Sequence, residues 1–363
     1  MSIAGSENFR KGVKVAVAMS GGVDSSVTAA LLKERGCDVV GVTLVLHKAS
    51  KPTHVDDARK VAEILGVPHH VLDLTDEFSK SIVGDFVDTY LRGETPLPCA
   101  RCNKRIKFGA LMDKARELGA EALATGHYAL LTKGKRGAEL HRAADDKRDQ
   151  SYFLFGASQA QLDFLRFPLG GMKSKIETRA LAEKFGLPVA AKPDSQDICF
   201  VPNGDYAGLV ARLRPEGIVP GEIVDESGKI LGRHEGIIHY TVGQRRGINL
   251  SARVGENNEP LFVVRLDAAK KQVVVGPREA LAQRRVILRE VNWLGDDVPS
   301  DGVSVSVKLR SAQAPVAAVF RMAGEGRGEV ALAEPVFGVA PGQAGVVYDG
   351  TRVLGGGWIE TEK

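Results

Sequence analysis

At 363 residues, 44% of them hydrophobic and 26% charged, the chain is too long for one compact domain and apolar enough to bury a full core, so two or three domains are expected. A formal charge of +4 permits a nucleic-acid partner without requiring one. Four cysteines, Cys37, Cys99, Cys102 and Cys199, exclude a disulfide framework, and no apolar run is long enough to span a bilayer.

The start, MSIAGSENFRKG, lacks the apolar segment of a signal peptide, so a soluble, cytoplasmic protein in a reducing setting is expected. Val13, Val15, Ala16, Val17 and Ala18 then read as a strand that stops at Ser20-Gly21-Gly22-Val23-Asp24-Ser25-Ser26, after which Val27, Ala30 and Leu31 mark one face of a helix. Gly21 and Gly22 can take positive φ and let N–H groups approach an anion, while Ser20, Ser25 and Ser26 add hydroxyls at a helix N-terminus. The lysine of a Walker loop is missing and Asp24 lies inside the cradle instead. A carboxylate beside phosphates repels them unless a divalent cation lies between, which implies Mg²⁺.

Asp38–Leu46 reads as a buried strand, His54–Leu65 as a helix ended by Gly66-Val67-Pro68, and His69–Leu74 as a third strand. A helix through Phe78, Ile82, Phe86 and Tyr90 follows, then a helix over Ile106–Leu118 and a strand over Glu121–Thr125. Ser174-Lys175-Ile176-Glu177 has the form of a capping box, and Gly186-Leu187-Pro188 closes that helix. This alternation predicts an α/β fold with a doubly wound parallel sheet, its ligand at the C-terminal ends of the strands. From Gly221 onward short β-like runs alternate with Gly, Pro, Asp and Asn. The expected domains are a catalytic domain over 1–205, a small β-rich domain over 206–282 and a C-terminal β-barrel over 283–363.

Cys99-Ala100-Arg101-Cys102 is compatible with half a zinc site, a redox pair or two ligands of an iron–sulfur cluster; no second C-x-x-C exists to complete a zinc site. The basic run Arg101–Lys107 is expected to favour a thiolate nearby, and Cys199 lies in the polar stretch KPDSQDICFVP, read as a loop. Cys37, after Gly36, reads as buried packing.

SGGVDSS resembles the pyrophosphate loop of the ATP pyrophosphatases, which cleave ATP between the α and β phosphates and adenylate a carbonyl oxygen. Behind it come PCARCNKRIKFG, ATGHYA, RDQSYFL, DSQDICF, YTVGQRRG and VAPGQAGVVYDG, in the order of the tRNA-specific 2-thiouridylases, which the chain resembles from about Val13 to Glu360. The resemblance implies an adenine nucleotide α-hydrolase-like catalytic domain and a barrel that touches tRNA. It also implies ATP-dependent 2-thiolation of the wobble uridine of lysine, glutamate and glutamine tRNAs. ATP would meet Ala18, Met19, Ser20, Gly21, Gly22, Val23, Asp24, Ser25, Leu44 and Gly126. tRNA would meet Leu97, Pro98, Cys99, His127, Arg148, Asp149, Gln150, Arg310, Ser311 and Gln343. Sulfur would arrive from a carrier protein as a persulfide on Cys199, with Cys102 as second catalytic thiol and a monomer as the acting form.

Some relatives carry aspartate where this chain has Cys99, which leaves open a [4Fe–4S] cluster on Cys99, Cys102 and Cys199. Tyr152, Phe153 and Phe155 are open between base stacking and core, Asp194 and Asp197 between tuning Cys199 and capping a turn. Lys133, Lys135, Arg136, Arg245 and Arg246 are open between phosphate contact and a solvated face. Rival readings are an amidating or ligating ATP pyrophosphatase, which needs no paired cysteines, and a non-catalytic RNA-binding module, which needs no Asp24.

Overall fold

The computed structural model describes residues 11–47, 53–194, 198–201, 204–248, 250, 259–298 and 300–361. The chain divides into two units, one made of Met1–Ile82, Cys99–Gln196 and Gly350–Val353, the other of Val83–Pro98, Asp197–Asp349 and Leu354–Lys363. Among the described residues no helix is long and apolar enough to cross a membrane.

The first unit opens with β1 (Lys14–Ala18), α1 (Val23–Glu34), β2 (Asp38–Val45), α2 (Thr53–Leu65) and β3 (His69–Asp73). It continues through α3 (Thr75–Phe78) and, after the return of the chain, α6 (Leu111–Glu117), β4 (Ala122–Ala124), the hairpin β5 (Leu130–Lys133) and β6 (Ala138–His141), α7 (Gln159–Phe164), β7 (Leu165–Arg166) and α8 (Lys175–Lys184). The parallel sheet runs β3-β2-β1-β4-β7, so β1 is central and order reverses beside it, between β1 and β4. That reversal opens the crevice where such sheets take ligands. α1 is buried nearly all round, from Val23 to Leu32, which suits a helix packed between sheet and α8. Cys37 joins this core at 8% exposure, as do Val15, Val17, Met19 and Val27.

Two features depart from the sequence reading. The helix expected over Ile106–Leu118 is a wide π-helical stretch, Asn103–Ala110, joined to α6 through Gly109, whose backbone leaves helical geometry at φ −103° and ψ −106°. Continuous apolar spacing hides such a bulge, because one extra residue per turn barely shifts the periodic pattern. The β5–β6 hairpin went unread because its apolar residues are few and its turn, Gly134 to Gly137, is basic; it pairs His141 with Arg352.

The second unit contains α4 (Gly84–Leu91), α9 (Tyr206–Leu213) and two β structures. The helix α5 (Pro98–Cys102) starts on its last residue before the return to the first unit. β8 (Gly221–Asp225), β9 (Ile230–His234), β10 (Phe262–Asp267) and β11 (Gln272–Gly276) form a sheet in the order β10-β11-β8-β9 around Ile223, Val263, Val273 and Val275. β12 (Ala282–Trp293), β13 (Val303–Lys308), β14 (Val316–Met322), β15 (Arg327–Phe337), β16 (Ala344–Asp349) and β17 (Arg352–Ile359) follow. They run β12-β15-β14-β13-β16-β17, and β12 also pairs with β17, which closes the barrel and removes its edges. The fold is thus mixed α/β: a parallel sheet with helices, a small β-rich sheet and a closed antiparallel barrel.

Inside the barrel Phe320 is fully buried and stacks on Trp293, with ring centroids 4.7 Å apart and planes within 6°. Phe320→Ala is expected to lower barrel stability by about 3–5 kcal/mol through the cavity it leaves. Both tryptophans, Trp293 and Trp358, lie in barrel strands, so a urea titration followed by tryptophan fluorescence reads that loss; an unchanged midpoint would contradict the packing described.

Candidate active site

β1 ends at Ala18 and the chain turns through Met19 and Ser20 into the first turn of α1. Gly21 has φ +70°, and a Cβ there would lie 2.2 Å from the backbone carbonyl oxygen of His54, so both conformation and space demand glycine. Gly22 is extended and precedes the first turn of α1 without a side-chain cap, which leaves amides of that turn facing outward. The serines brace the loop: the Ser20 amide donates to Ser25 Oγ at 3.0 Å, and the Ser25 and Ser26 hydroxyls donate to the Gly22 carbonyl at 3.2 and 2.8 Å. Gly126, after β4, passes so near that a Cβ would lie 2.9 Å from the Asp24 carbonyl carbon and the Ser25 nitrogen. Loop and Gly126 are therefore one surface. Leu44 is half-buried near the end of β2, and its carbonyl lies 3.3 Å from His54 Nε2.

Asp24 does not face solvent alone. Lys175 Nζ, at the start of α8, donates to both of its carboxylate oxygens at 2.7 and 2.8 Å, and the Tyr128 hydroxyl donates to Oδ1 at 2.7 Å. Burial and the Asp24 charge push the Tyr128 phenol up, which keeps it a donor. Lys175 also bonds Asp194 Oδ1 at 2.9 Å, and Asp194 meets Arg148 at 2.8 Å and Arg179 at 3.3 Å. Burial alone would raise the Asp194 carboxyl, but Lys175 and Arg148 outweigh it and hold the group below the usual carboxylate range. Lys192 Nζ ties the Gly21 carbonyl, at 2.9 Å, to Asp57 of α2, at 2.7 Å. Asp197 lies outside the described residues.

An outward-facing helix N-terminus, braced hydroxyls and one carboxylate form an all-oxygen and N–H donor set that fits a polyphosphate with Mg²⁺, Asp24 and the serines being the groups to hold the cation. Sequence reading missed Lys175, Tyr128 and Lys192. Lys175 was legible only as part of a helix cap. Ser174 Oγ does accept from the Glu177 amide at 3.4 Å, but the Glu177 carboxylate takes the Lys173 amide, so the box is half formed and Lys175 is turned to the loop.

α5 carries Cys99, exposed, and Cys102, buried. The expected thiolate is not favoured there. Burial pushes the Cys102 thiol up, and this outweighs the nearby Lys107 charge that pulls it down. Asn103, next in the chain, donates its amide to the Phe153 carbonyl at 3.1 Å, and its buried Oδ1 has no partner among the described residues. Cys199 is exposed and belongs to the second unit. No group of three or more His, Cys, Asp or Glu side chains among the described residues is placed to hold a metal.

His127 sits edge-on to Phe108 and Phe167, with its Nδ1 2.6 Å from Thr125 Oγ1. Arg148 pairs with Asp194, as above. Asp149 is turned inward, accepting from the amides of Ala143 and Ser151 and from the Ser151 hydroxyl. Gln150 exchanges bonds with the Tyr128 backbone. Tyr152 and Phe155 are core, Phe153 half-buried. In the second unit Arg310 and Ser311 are exposed, Leu97 is half-buried and Pro98 buried, and Gln343 donates to the Thr95 and Pro96 carbonyls at 3.2 Å each. Lys133, Lys135, Arg245 and Arg246 are exposed, as is Arg136.

Family models agree with these parts. The one described as tRNA methyl transferase HUP domain matches residues 13–203, the tRNA methyl transferase PRC-barrel domain 209–277, and the Aminomethyltransferase beta-barrel domain 283–359. The tRNA-specific 2-thiouridylase MnmA of Rhodospirillum centenum is 55% identical over 372 residues, covering 99% of this chain and 94% of that protein. The chain belongs to the tRNA-specific 2-thiouridylase family. A second thiouridylase of that name, from Paracoccus denitrificans, is also 55% identical, over 95% of this chain and 91% of its own. A solved 4-thiouridine synthetase–RNA complex with bound ATP is 18% identical over 56% of this chain and 53% of that one, with a TM-score of 0.35.

In this thiouridylase-family chain burial, aided by Lys107, holds the His127 imidazole neutral well below its ordinary value. His69, His141 and His234 are shifted the same way, each chiefly by burial. Unfolded, each takes a proton near pH 6.5 while the folded form resists it, so their stability contribution is complete above that pH and falls as pH drops toward the depressed folded values. The thermal midpoint is therefore expected to fall from pH 7 to pH 5. His127→Gln should remove about one proton's share of the slope, about 1.4 kcal/mol per pH unit, and a slope equal to wild type would contradict a buried neutral His127.

Proposed function

We propose that this chain is an ATP-dependent tRNA-uridine 2-sulfurtransferase acting on the wobble uridine. The observation that carries the proposal is the anion cradle at Ser20–Ser26, with its built-in carboxylate, in a chain of the thiouridylase family. The cradle residues Ala18 to Ser25, with Leu44 and Gly126, take ATP. The uridine 2-oxygen attacks the α-phosphate, pyrophosphate leaves, and the base is left as an O-adenylate whose AMP is a good leaving group. Mg²⁺ on Asp24, when bound, neutralises charge on the leaving pyrophosphate.

Sulfur comes from the Cys199 persulfide, loaded by a carrier protein. Its terminal sulfur bonds to C2 of the base and AMP departs. Cys102 Sγ then attacks Cys199 Sγ, the sulfur–sulfur bond to the base breaks, and 2-thiouridine is released with a Cys102–Cys199 disulfide. The persulfide sulfur is reduced as the two thiols are oxidised, and a dithiol reductant reopens the disulfide. The raised Cys102 thiol fits this order, since a resting thiolate there would reduce the persulfide before adenylation. Residues 1–205 act as the catalytic domain, and the barrel over 283–363 holds tRNA through groups such as Arg310 and Ser311, with one chain sufficient for one tRNA.

Nucleoside mass spectrometry tests this reading on unmodified glutamate tRNA, incubated with ATP, Mg²⁺ and a persulfide donor. Wild type is expected to yield 2-thiouridine, Cys102→Ala and Cys199→Ala none, and Cys99→Asp a retained yield. Absence of thiouridine from wild type with a competent donor would return the chain to the wider ATP pyrophosphatases.

A further inference from the structure

The phosphate loop lacks a lysine of its own, yet the fold delivers one from 151 positions away. We propose that Lys175 is an exchangeable counter-cation of the loop: it holds Asp24 until nucleotide arrives, yields it to the divalent cation, and then bonds the nucleotide's phosphates. The proposal rests on reading the loop as the ATP site and adds a phosphate-contacting residue to it.

The geometry supplies each requirement. The Lys175 side chain is 10% exposed and its ammonium is shared between Asp24 and Asp194. An ammonium has three donors and no acceptor, so it can keep one carboxylate while releasing another. Asp194 is anchored independently by Arg148 and Arg179, and therefore stays in place as a tether when Asp24 is withdrawn. Asp24 is anchored as well. The Tyr128 hydroxyl donates to it at 2.7 Å and is itself 2.9 Å from Thr178 Oγ1 on α8, so the carboxylate cannot simply follow the lysine. Two fixed carboxylates with one flexible ammonium between them form an exchange site rather than a static ion pair. A cation bound to triphosphate satisfies Asp24 better than an ammonium does, and the freed Nζ is then left beside the phosphates with its charge unpaired on that side. Before exchange, the same contact neutralises the carboxylate and disfavours binding of metal without nucleotide.

Mn²⁺ in place of Mg²⁺, followed by electron paramagnetic resonance, and calorimetry with inorganic pyrophosphate test this without any turnover. Lys175→Gln is expected to bind Mn²⁺ alone about tenfold more tightly than wild type, and pyrophosphate in the presence of Mg²⁺ about tenfold more weakly, as loss of one charged hydrogen bond implies. Asp24→Asn, which frees the lysine, is expected to bind pyrophosphate without a divalent cation better than wild type does. Unchanged affinities in Lys175→Gln would overturn the proposal and leave Lys175 as packing. Should that variant fail to fold, Lys175→Arg serves. Its rigid fork should hold both carboxylates, so that Mn²⁺ binds no better than in wild type and pyrophosphate more weakly; wild-type pyrophosphate affinity there would overturn the exchange. If unmutated protein binds neither pyrophosphate nor ATP with Mg²⁺, the reading of the loop itself fails, an outcome distinguished by needing no variant.

Discussion

Asp24 stands in the first turn of α1, where free N–H groups attract anions, yet it carries the same sign of charge as the phosphates that turn is shaped to receive. Everything around the loop answers that conflict. Tyr128 comes from the segment after β4 and Lys175 from the start of α8, and both reach one carboxylate. They can do so because β1 is central and β4 is its neighbour, so the segment leaving β4 and the loop leaving β1 emerge side by side. Gly126 shows how close that approach is, since even a methyl group would strike the first turn of α1. The sheet order is thus a condition of the chemistry, placing separate stretches of chain around a charge that no single stretch could manage.

A second conflict lies in α5. Lys107 pulls the Cys102 thiol toward ionisation, while burial resists, and burial prevails. For a nucleophile acting at once this would be a poor arrangement. In the reaction order proposed above, where the thiol acts only after adenylation and persulfide delivery, a protonated thiol is the safer resting form, because persulfides are opened by any nearby thiolate.

The parallel sheet, the phosphate loop and the late β structures were legible because each is written locally: apolar runs, Gly21 with its positive φ, and β runs punctuated by turn residues. Lys175 was not legible, since a lysine at the start of a helix says nothing about a carboxylate far away in sequence, and its local signal pointed to a cap. The thiolate expectation at Cys102 failed for a related reason. Sequence shows charges in a row, but desolvation depends on what the fold packs around them, and Cys102 is buried. Asp149 and Gln150 have the polar character of contact residues, yet their side chains go to backbone amides that an irregular segment must satisfy somewhere.

The same demand explains how the barrel treats the segment ahead of α5. Glu94 is 7% exposed and bonds Arg289 of β12 at 2.8 Å, the Thr95 amide donates to the Pro341 carbonyl at 2.7 Å, and Gln343 takes the next two carbonyls. Gly342 has no room for a side chain against Glu94 and Thr95. A short irregular stretch would ordinarily be solvated and mobile. Here the buried Glu94 carboxylate, held by Arg289 and Arg92, and successive backbone bonds hold the stretch in place. Leu97 and Pro98 come next, where α5 begins. A barrel that fixes the chain up to Pro98 therefore does more than present its own surface: it sets the backbone from which α5 starts, and Gln343 serves that end through its amide.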